Sequence, residues 1–210
     1  NKIKHTDTFD YLLSVLNKRN IIFKEETQSS IDKKIKKKIK NHNIQLKMRH
    51  DYTPKIIENA IRQMYIEEQV GLFLENNQNK YDSSIVCSSD LYLLNKINLN
   101  DIEDSMLNNA IYTTDNNEGN GYTNSFYIGK LEPMVKILKR FSILQDLLPT
   151  HKDYEFLLKR AFDIHGIDRK LTEMLFFKIR NNKSIARQGK LGQNIYDDYY
   201  ESTKNQINSL

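Results

Sequence analysis

The sequence predicts a mainly α-helical protein that also contains a few short β-hairpins. This is an α+β fold in which helices predominate. Three observations support this prediction. Apolar residues recur at spacings of three and four along several stretches, which is the pattern of amphipathic helices. The 210 residues include only 7 Gly and 3 Pro, which excludes collagen-like and proline-rich proteins. Hydrophobic residues make up 39% and charged residues 28%, as in ordinary globular domains.

Residues 1–82 are predicted to form a small α+β segment. Apolar residues on one face indicate a helix over residues 7–18, and alternating polarity indicates a strand at 44–48. Thr53 and Pro54 have the form of an N-cap followed by a first-turn proline, so a helix is expected from Pro54 to about Glu75. The chain begins with Asn1 and not with Met, which leaves open that this segment is truncated.

The most basic part of the sequence lies between Asp32 and Arg49. Isoleucine recurs there at every fourth position among many lysines, which predicts a cationic helix with a narrow apolar stripe. Three interpretations are open. The lysines bind nucleic-acid phosphates, they rest on an anionic membrane surface, or they form a solvated face over a small core. For the first interpretation the candidate residues are Lys36, Lys37 and Lys40.

Residues 83–91 are a suspected junction. They resemble the translation of a common short-read sequencing adapter, one frame of which reads Ser-Ser-Asp-Val-Cys-Ser-Ser-Asp-Leu, and only Ile85 departs from it. On that interpretation Cys87, the single cysteine, is not native and the chain joins two unrelated sequencing reads. The alternative is a polar turn over residues 79–84 followed by a short strand. We therefore base no sequence argument on a site shared by residues 1–82 and 92–210.

Residues 92–210 are predicted to form a helical domain. A helix is expected over residues 100–109, and a hairpin over 111–128 because two segments rich in aromatic and β-branched residues flank a polar loop. A further helix is expected over residues 134–148, where Pro149 stops it. The next begins near Tyr154 and is interrupted at His165-Gly166-Ile167-Asp168, where Gly166 can take the left-handed conformation that ends a helix.

A second helix is predicted over residues 169–180, followed by a glycine-punctuated basic arm. Three helices, the last two joined by a short glycine-containing turn, have the outline of a helix-turn-helix within residues 134–195. In this order of elements the stretch is similar to winged-helix domains. The resemblance implies that the second helix enters the major groove with five exposed residues, namely Arg169, Thr172, Glu173, Phe176 and Arg180. Arg can contact guanine and Glu can accept from cytosine, so these types suit base edges.

The basic arm supplies three more candidates for phosphate or minor-groove contacts: Lys183, Arg187 and Lys190. The structural alternative is a plain three-helix bundle with a basic loop. We predict a nucleic-acid-binding protein without catalytic activity, with DNA favoured over RNA as the partner. A helical protein-interaction module with no nucleic-acid role is a further alternative.

An enzymatic alternative starts from Arg160 and His165. Their Arg-x4-His spacing resembles the motif of HEPN-type ribonucleases, which implies a metal-independent cleavage of RNA by the Arg and His of two paired chains. A core or C-capping histidine is the simpler interpretation. The sequence contains no glycine-rich phosphate loop and no zinc pattern, so no metal and no cofactor are predicted. No apolar run approaches the length of a membrane helix, and a single cysteine suits a reducing compartment, so we expect a cytoplasmic, non-membrane protein and leave a homodimer open.

Overall fold

The computed structural model describes residues 26–41, 54–115, 121–147, 154–179, 184–186, 199–200 and 202–205. The chain divides into two compact units, Asn1–His42 and Asn43–Leu210. Several predictions fall outside the described residues: the helix over 7–18, the strand at 44–48, most of the polar loop at 115–121, and the basic arm except for residues 184–186.

In the first unit, helix α1 spans Gln28–Asn41 and confirms the predicted cationic helix. Its first turn is held by Thr27, whose hydroxyl accepts from the Ser30 amide at 3.3 Å, in the manner of an N-cap. The isoleucine stripe faces inward, because Ile35 is 6% exposed while Ile31 and Ile39 are half-buried. The helix ends at Asn41.

The second unit begins with helix α2, Pro54–Glu75, which confirms the predicted bounds. Its inward face buries Ile61, Met64 and Tyr65. Gly71 is required by close packing, because a Cβ at that position would lie 2.9 Å from Cγ of Lys139 and 3.1 Å from Cβ of Leu138. The glycine that costs helical stability therefore allows α2 to approach its neighbouring helices closely.

A four-stranded mixed sheet lies at the centre of the second unit. Its strands are β1 Ser83–Cys87, β3 Ala110–Thr113, β4 Phe126–Lys130 and β5 Asp168–Leu171, and their order is β1-β4-β3-β5. Strands β3 and β4 are antiparallel, which confirms the predicted hairpin, while β3 and β5 are parallel. Both faces of β4 are buried, since Phe126, Tyr127 and Ile128 are each at most 1% exposed.

A second sheet of three antiparallel strands has the order β2-β6-β7, with β2 Leu91–Leu93, β6 Phe176–Ile179 and β7 Ile185–Ala186. Phe176 joins this sheet to the first, because it packs in one apolar cluster with Phe126, Ile128 and Met174. Helix α3, Leu99–Leu107, lies against β3 and β4 and confirms the predicted helix at this place.

The remaining helices lie beside α2 and the sheet. Helix α4 is Leu131–Leu138, a 3-10 turn follows at Lys139–Ile143, and α5 is Leu144–Leu147, so the single helix predicted over 134–148 is divided into three short elements. Helix α6 is Tyr154–His165 and ends at Gly166, whose φ of +58° confirms the left-handed conformation predicted for it. Of the described helices, not one is both long and apolar enough to cross a membrane.

The adapter-like stretch has regular structure in the fold. Residues 83–87 form β1, which pairs with β4 over its whole length, and Leu91 begins β2. A polar turn at residues 76–80 precedes β1. The origin of residues 83–91 is a question about the nucleotide sequence, so the suspected junction and the division into 1–82 and 92–210 stay predictions.

The prediction of a second helix over residues 169–180, which would complete the helix-turn-helix, is wrong. Residues 168–171 and 176–179 form β5 and β6, which belong to different sheets. The Asp168 amide donates to the Asn109 carbonyl at 3.0 Å and begins the parallel pairing of β5 with β3, where the sequence predicted the start of a helix. Leu171 is 57% exposed, whereas Phe176, predicted to be exposed on that helix, is fully buried, as is Phe177. The described residues therefore form a mixed fold in which helices predominate, and they lack the helix-turn-helix pair.

Candidate nucleic-acid interface

Four exposed lysines of α1 lie on one side of the helix. An α-helix turns by about 100° per residue, so Lys33, Lys36, Lys37 and Lys40 fall within an arc of about 100°. The centre of the isoleucine stripe lies about 150° away around the axis. From Lys33 to Lys40 the row is about 10 Å long, because the helix rises 1.5 Å per residue. We call these four residues the lysine face.

The other two lysines of α1 have different surroundings. Lys34 forms an ion pair with Glu26, with 2.7 Å between Nζ and Oε2, and Lys38 is half-buried. None of the lysine-face residues forms an ion pair with a residue that the structure describes. The structure thus brings the predicted Lys36, Lys37 and Lys40 together and adds Lys33. The sequence contained the signal for Lys33, since it stands three residues before Lys36.

Arg169, predicted to reach a base, is held inside the second unit. Its Nε donates to the Thr113 hydroxyl at 2.7 Å, and its Nη2 donates to the Thr114 carbonyl at 3.0 Å. The guanidinium also lies over the Tyr122 ring, 4.5 Å from its centre. Burial lowers the pKa of Arg169, and Asp115 acts in the opposite direction. The donors that would recognise guanine are therefore directed at β3 and the segment that follows it.

The other predicted base-contact residues are dispersed. Thr172 is buried and donates its hydroxyl to Asp101 Oδ2 at 2.6 Å, and Phe176 is in the core. Glu173 is exposed, and its backbone carbonyl accepts from Asn95 at 2.9 Å. The side chains of the four remaining candidates, Arg180, Lys183, Arg187 and Lys190, lie outside the described residues.

A cluster that the sequence did not indicate joins α3 to the sheet. The Asp104 carboxylate forms an ion pair with Lys170 of β5 and accepts from the Tyr112 hydroxyl at 2.8 Å. Hydrogen bonds from Lys170 and then from Tyr112 lower the pKa of Asp104, whereas burial is the main cause that raises the pKa of Tyr112 to about 12. Because Asp104 and Lys170 are distant in sequence, no local pattern could have paired them.

Arg160 and His165 are on the same helix but face different directions. Five residues of α-helix turn by about 500°, which leaves the two side chains about 140° apart. The Nε of Arg160 donates to the Asp146 carbonyl at 2.9 Å. Burial, followed by the charge of Lys136, lowers the pKa of His165, which favours the neutral imidazole. Within one chain the two residues form no joint site, and the ribonuclease alternative stays a prediction that depends on a second chain.

A cleft of about 490 Å³ separates α2 from the turn after β1. Asn59 and Gln63 line one wall, and residues 86–90 line the other. Glu67 also lines the cleft. One of its carboxylate oxygens forms an ion pair with the buried Arg140 guanidinium, and the other accepts from Gln63 at 3.0 Å. Since one wall belongs to the suspected junction, we assign no ligand to this cleft.

Comparison with models of protein families and with curated proteins finds no match for this chain. Across the residues that the structure describes, no group of three or more His, Cys, Asp or Glu side chains could hold a metal ion. The case for a function therefore depends on geometry and charge alone, and the lysine face is the site in which predicted binding residues come together.

Proposed function

We propose that the protein binds nucleic acid through the lysine face of α1, by contact with phosphates. One observation carries the proposal: four lysines with exposed side chains share one side of a regular helix, and no described acidic residue neutralises them. Lysine is a compact charge on a flexible stem and binds phosphate without demanding a fixed orientation. No catalytic step is part of the proposal.

The isoleucine stripe favours nucleic acid over a membrane surface. A helix that lies on a bilayer must bury its apolar face among lipid chains. In α1 that face is already covered by the protein, since Ile35 is 6% exposed and Ile31 and Ile39 are half-buried. The exposed side of α1 carries the positive charge of the lysine face, which is suited to binding a polyanion.

The size of the effect follows from counterion release. Each neutralised phosphate contributes about −0.9 to the slope of log affinity against log salt concentration on duplex DNA. Four lysines therefore give a slope of about −3.6, which is about a 100-fold loss of affinity between 50 and 200 mM salt. Such a slope distinguishes phosphate contact from a weak general attraction of a chain with net charge +5.

The test measures fluorescence anisotropy of a labelled duplex with the full chain and with the triple variant Lys36→Gln, Lys37→Gln, Lys40→Gln. The matched control removes three exposed lysines of the second unit: Lys55, Lys80 and Lys96. We expect the first variant to lose most of the affinity and to reduce the slope to about −1. Equal losses in both variants, or no binding by the original chain at 50 mM salt, would overturn the proposal.

A further inference from the structure

We infer that the lysine face takes double-stranded nucleic acid, grips its phosphate backbone and does not distinguish base sequence. This inference rests on the proposed function and specifies its partner. Two features of α1 support it: the side chains that accompany the four lysines, and the length of the row.

The side chains within the arc of the lysine face are only lysines and one serine. By helical geometry, Ser29 is the remaining residue of α1 in that arc, and it is exposed. Proteins that bind single strands combine positive charge with aromatic side chains on which bases stack. Helix α1 has no aromatic residue and no arginine along its length. It therefore lacks the stacking platform that would favour a single strand.

The length of the row favours the higher charge density of a duplex. B-DNA presents one negative charge per 1.7 Å of its axis, compared with 3.4 Å along one strand. A row of about 10 Å that lies along one backbone is thus opposite about three phosphates of that strand, and on a duplex the phosphates of the second strand add to the negative potential around the row. Each lysine contact therefore releases more counterion on a duplex than on a single strand. For four contacts the expected salt slopes are about −3.6 on a duplex and about −2.8 on a single strand.

The composition of the lysine face favours contact with the backbone over contact with base edges. Its arc of about 100° contains no Arg, Asn, Gln, Asp or Glu, the side chains that together with Lys read base edges in the major groove. Lys binds phosphate as a point charge on a flexible stem and does not require a fixed orientation. The lysine face therefore reaches phosphates without distinguishing base pairs.

The experiment uses the full chain with two duplexes of unrelated sequence and equal length, and with one strand of the first duplex, at three salt concentrations. We expect equal affinity for the two duplexes within about twofold, and weaker binding to the single strand by about fivefold or more at 50 mM salt. The triple variant at Lys36, Lys37 and Lys40 should reduce binding to both duplexes equally. The corresponding Lys→Arg variant keeps the charge and should retain binding, which separates loss of charge from loss of folding.

The outcomes distinguish this inference from the proposed function. Single-strand binding as tight as duplex binding, or a preference of more than about tenfold between the two duplexes, would overturn the inference and leave the proposed function standing. Failure to bind any of the three probes would overturn both. Binding that survives in the Lys→Gln variant would also overturn both, because it would place the contact elsewhere.

Discussion

Helix α1 and the segment from β5 to β6 both carry basic side chains, but they differ in what those side chains contact. The lysine face of α1 extends into solvent. Arg169 of β5 instead forms hydrogen bonds with Thr113 and Thr114 and a contact with the Tyr122 ring. In the first region the isoleucine stripe lies on the buried side of the helix, and the charged side chains are exposed. In the second, the charged side chain itself is part of the packing. The number of basic residues in a segment therefore says little about the charge available to a polyanion.

The largest expected effect concerns a charge that is fully enclosed. Arg140 has no exposed side-chain surface and pairs with Glu67, whose side chain is 9% exposed. Arg140→Met removes the positive charge that is paired with this buried carboxylate. Removing one member of a buried ion pair costs about 3–5 kcal/mol of folding stability, and urea unfolding would measure it.

A surface lysine close to Arg140 supplies the control. Lys136 of α4 pairs with Glu132 at 2.8 Å, but the two side chains are 44% and 71% exposed. Lys136→Met removes the same charge and should cost less than about 1 kcal/mol. If the two variants were equally stable, the buried charge of Arg140 would contribute no more to folding stability than the surface charge of Lys136.

A smaller but more discriminating effect is expected at Arg169. Arg169→Met removes both hydrogen bonds and the contact with Tyr122, which together should cost about 2 kcal/mol in urea unfolding. Arg169→Lys restores the charge but not the planar group, so it should recover only part of that loss. Affinity for duplex DNA should stay unchanged in both. A variant with full stability and weakened DNA binding would return Arg169 to the role that the sequence predicted.

How much the sequence could reveal differs between the same two regions. Helix α1 was predictable because its lysines and isoleucines keep one helical period within a single segment, and Gly166 was predictable because few other residues tolerate its φ. In residues 169–180 the spacing of Leu171, Met174 and Leu175 also fits a helix. The deciding contacts are the pairing of β5 with β3 and of β6 with β2, which join segments far apart in the chain. Local periodicity contains no information about such partners.

The Asp104 cluster gives a pH-dependent test of a partly exposed ion pair. Its pKa is lowered in the folded protein, so the unfolded chain takes up the proton first as the pH falls. The stabilising contribution is complete above the ordinary value of 3.8 and is lost as the pH falls through the lowered pKa. Asp104→Asn should therefore reduce the acid dependence of the melting temperature below about pH 4, measured by circular dichroism.

The control for this titration is a carboxylate on the same helix that does not belong to the Asp104 cluster. Glu103 is exposed on α3, and Glu103→Gln makes the same chemical change one residue away. It should leave the acid dependence as it is. If both variants changed it equally, the effect would belong to the net charge of α3 and not to the contacts with Lys170 and Tyr112.

The smallest expected change in stability is at the lysine face. Lys37→Gln alters an exposed side chain of a helix and keeps a good helix former, so unfolding free energy should shift by less than about 0.5 kcal/mol. On duplex DNA the same variant should reduce the salt slope by about 0.9. Lys34→Gln is the matched control, because Lys34 is paired with Glu26 and lies to one side of the lysine face. If Lys34 and Lys37 contributed equally to the slope, the lysine face would not be the binding surface. If only Lys37 contributed, a residue with almost no effect on folding stability would be important for DNA binding. Arg169 is expected to show the opposite, a clear effect on stability and none on DNA binding.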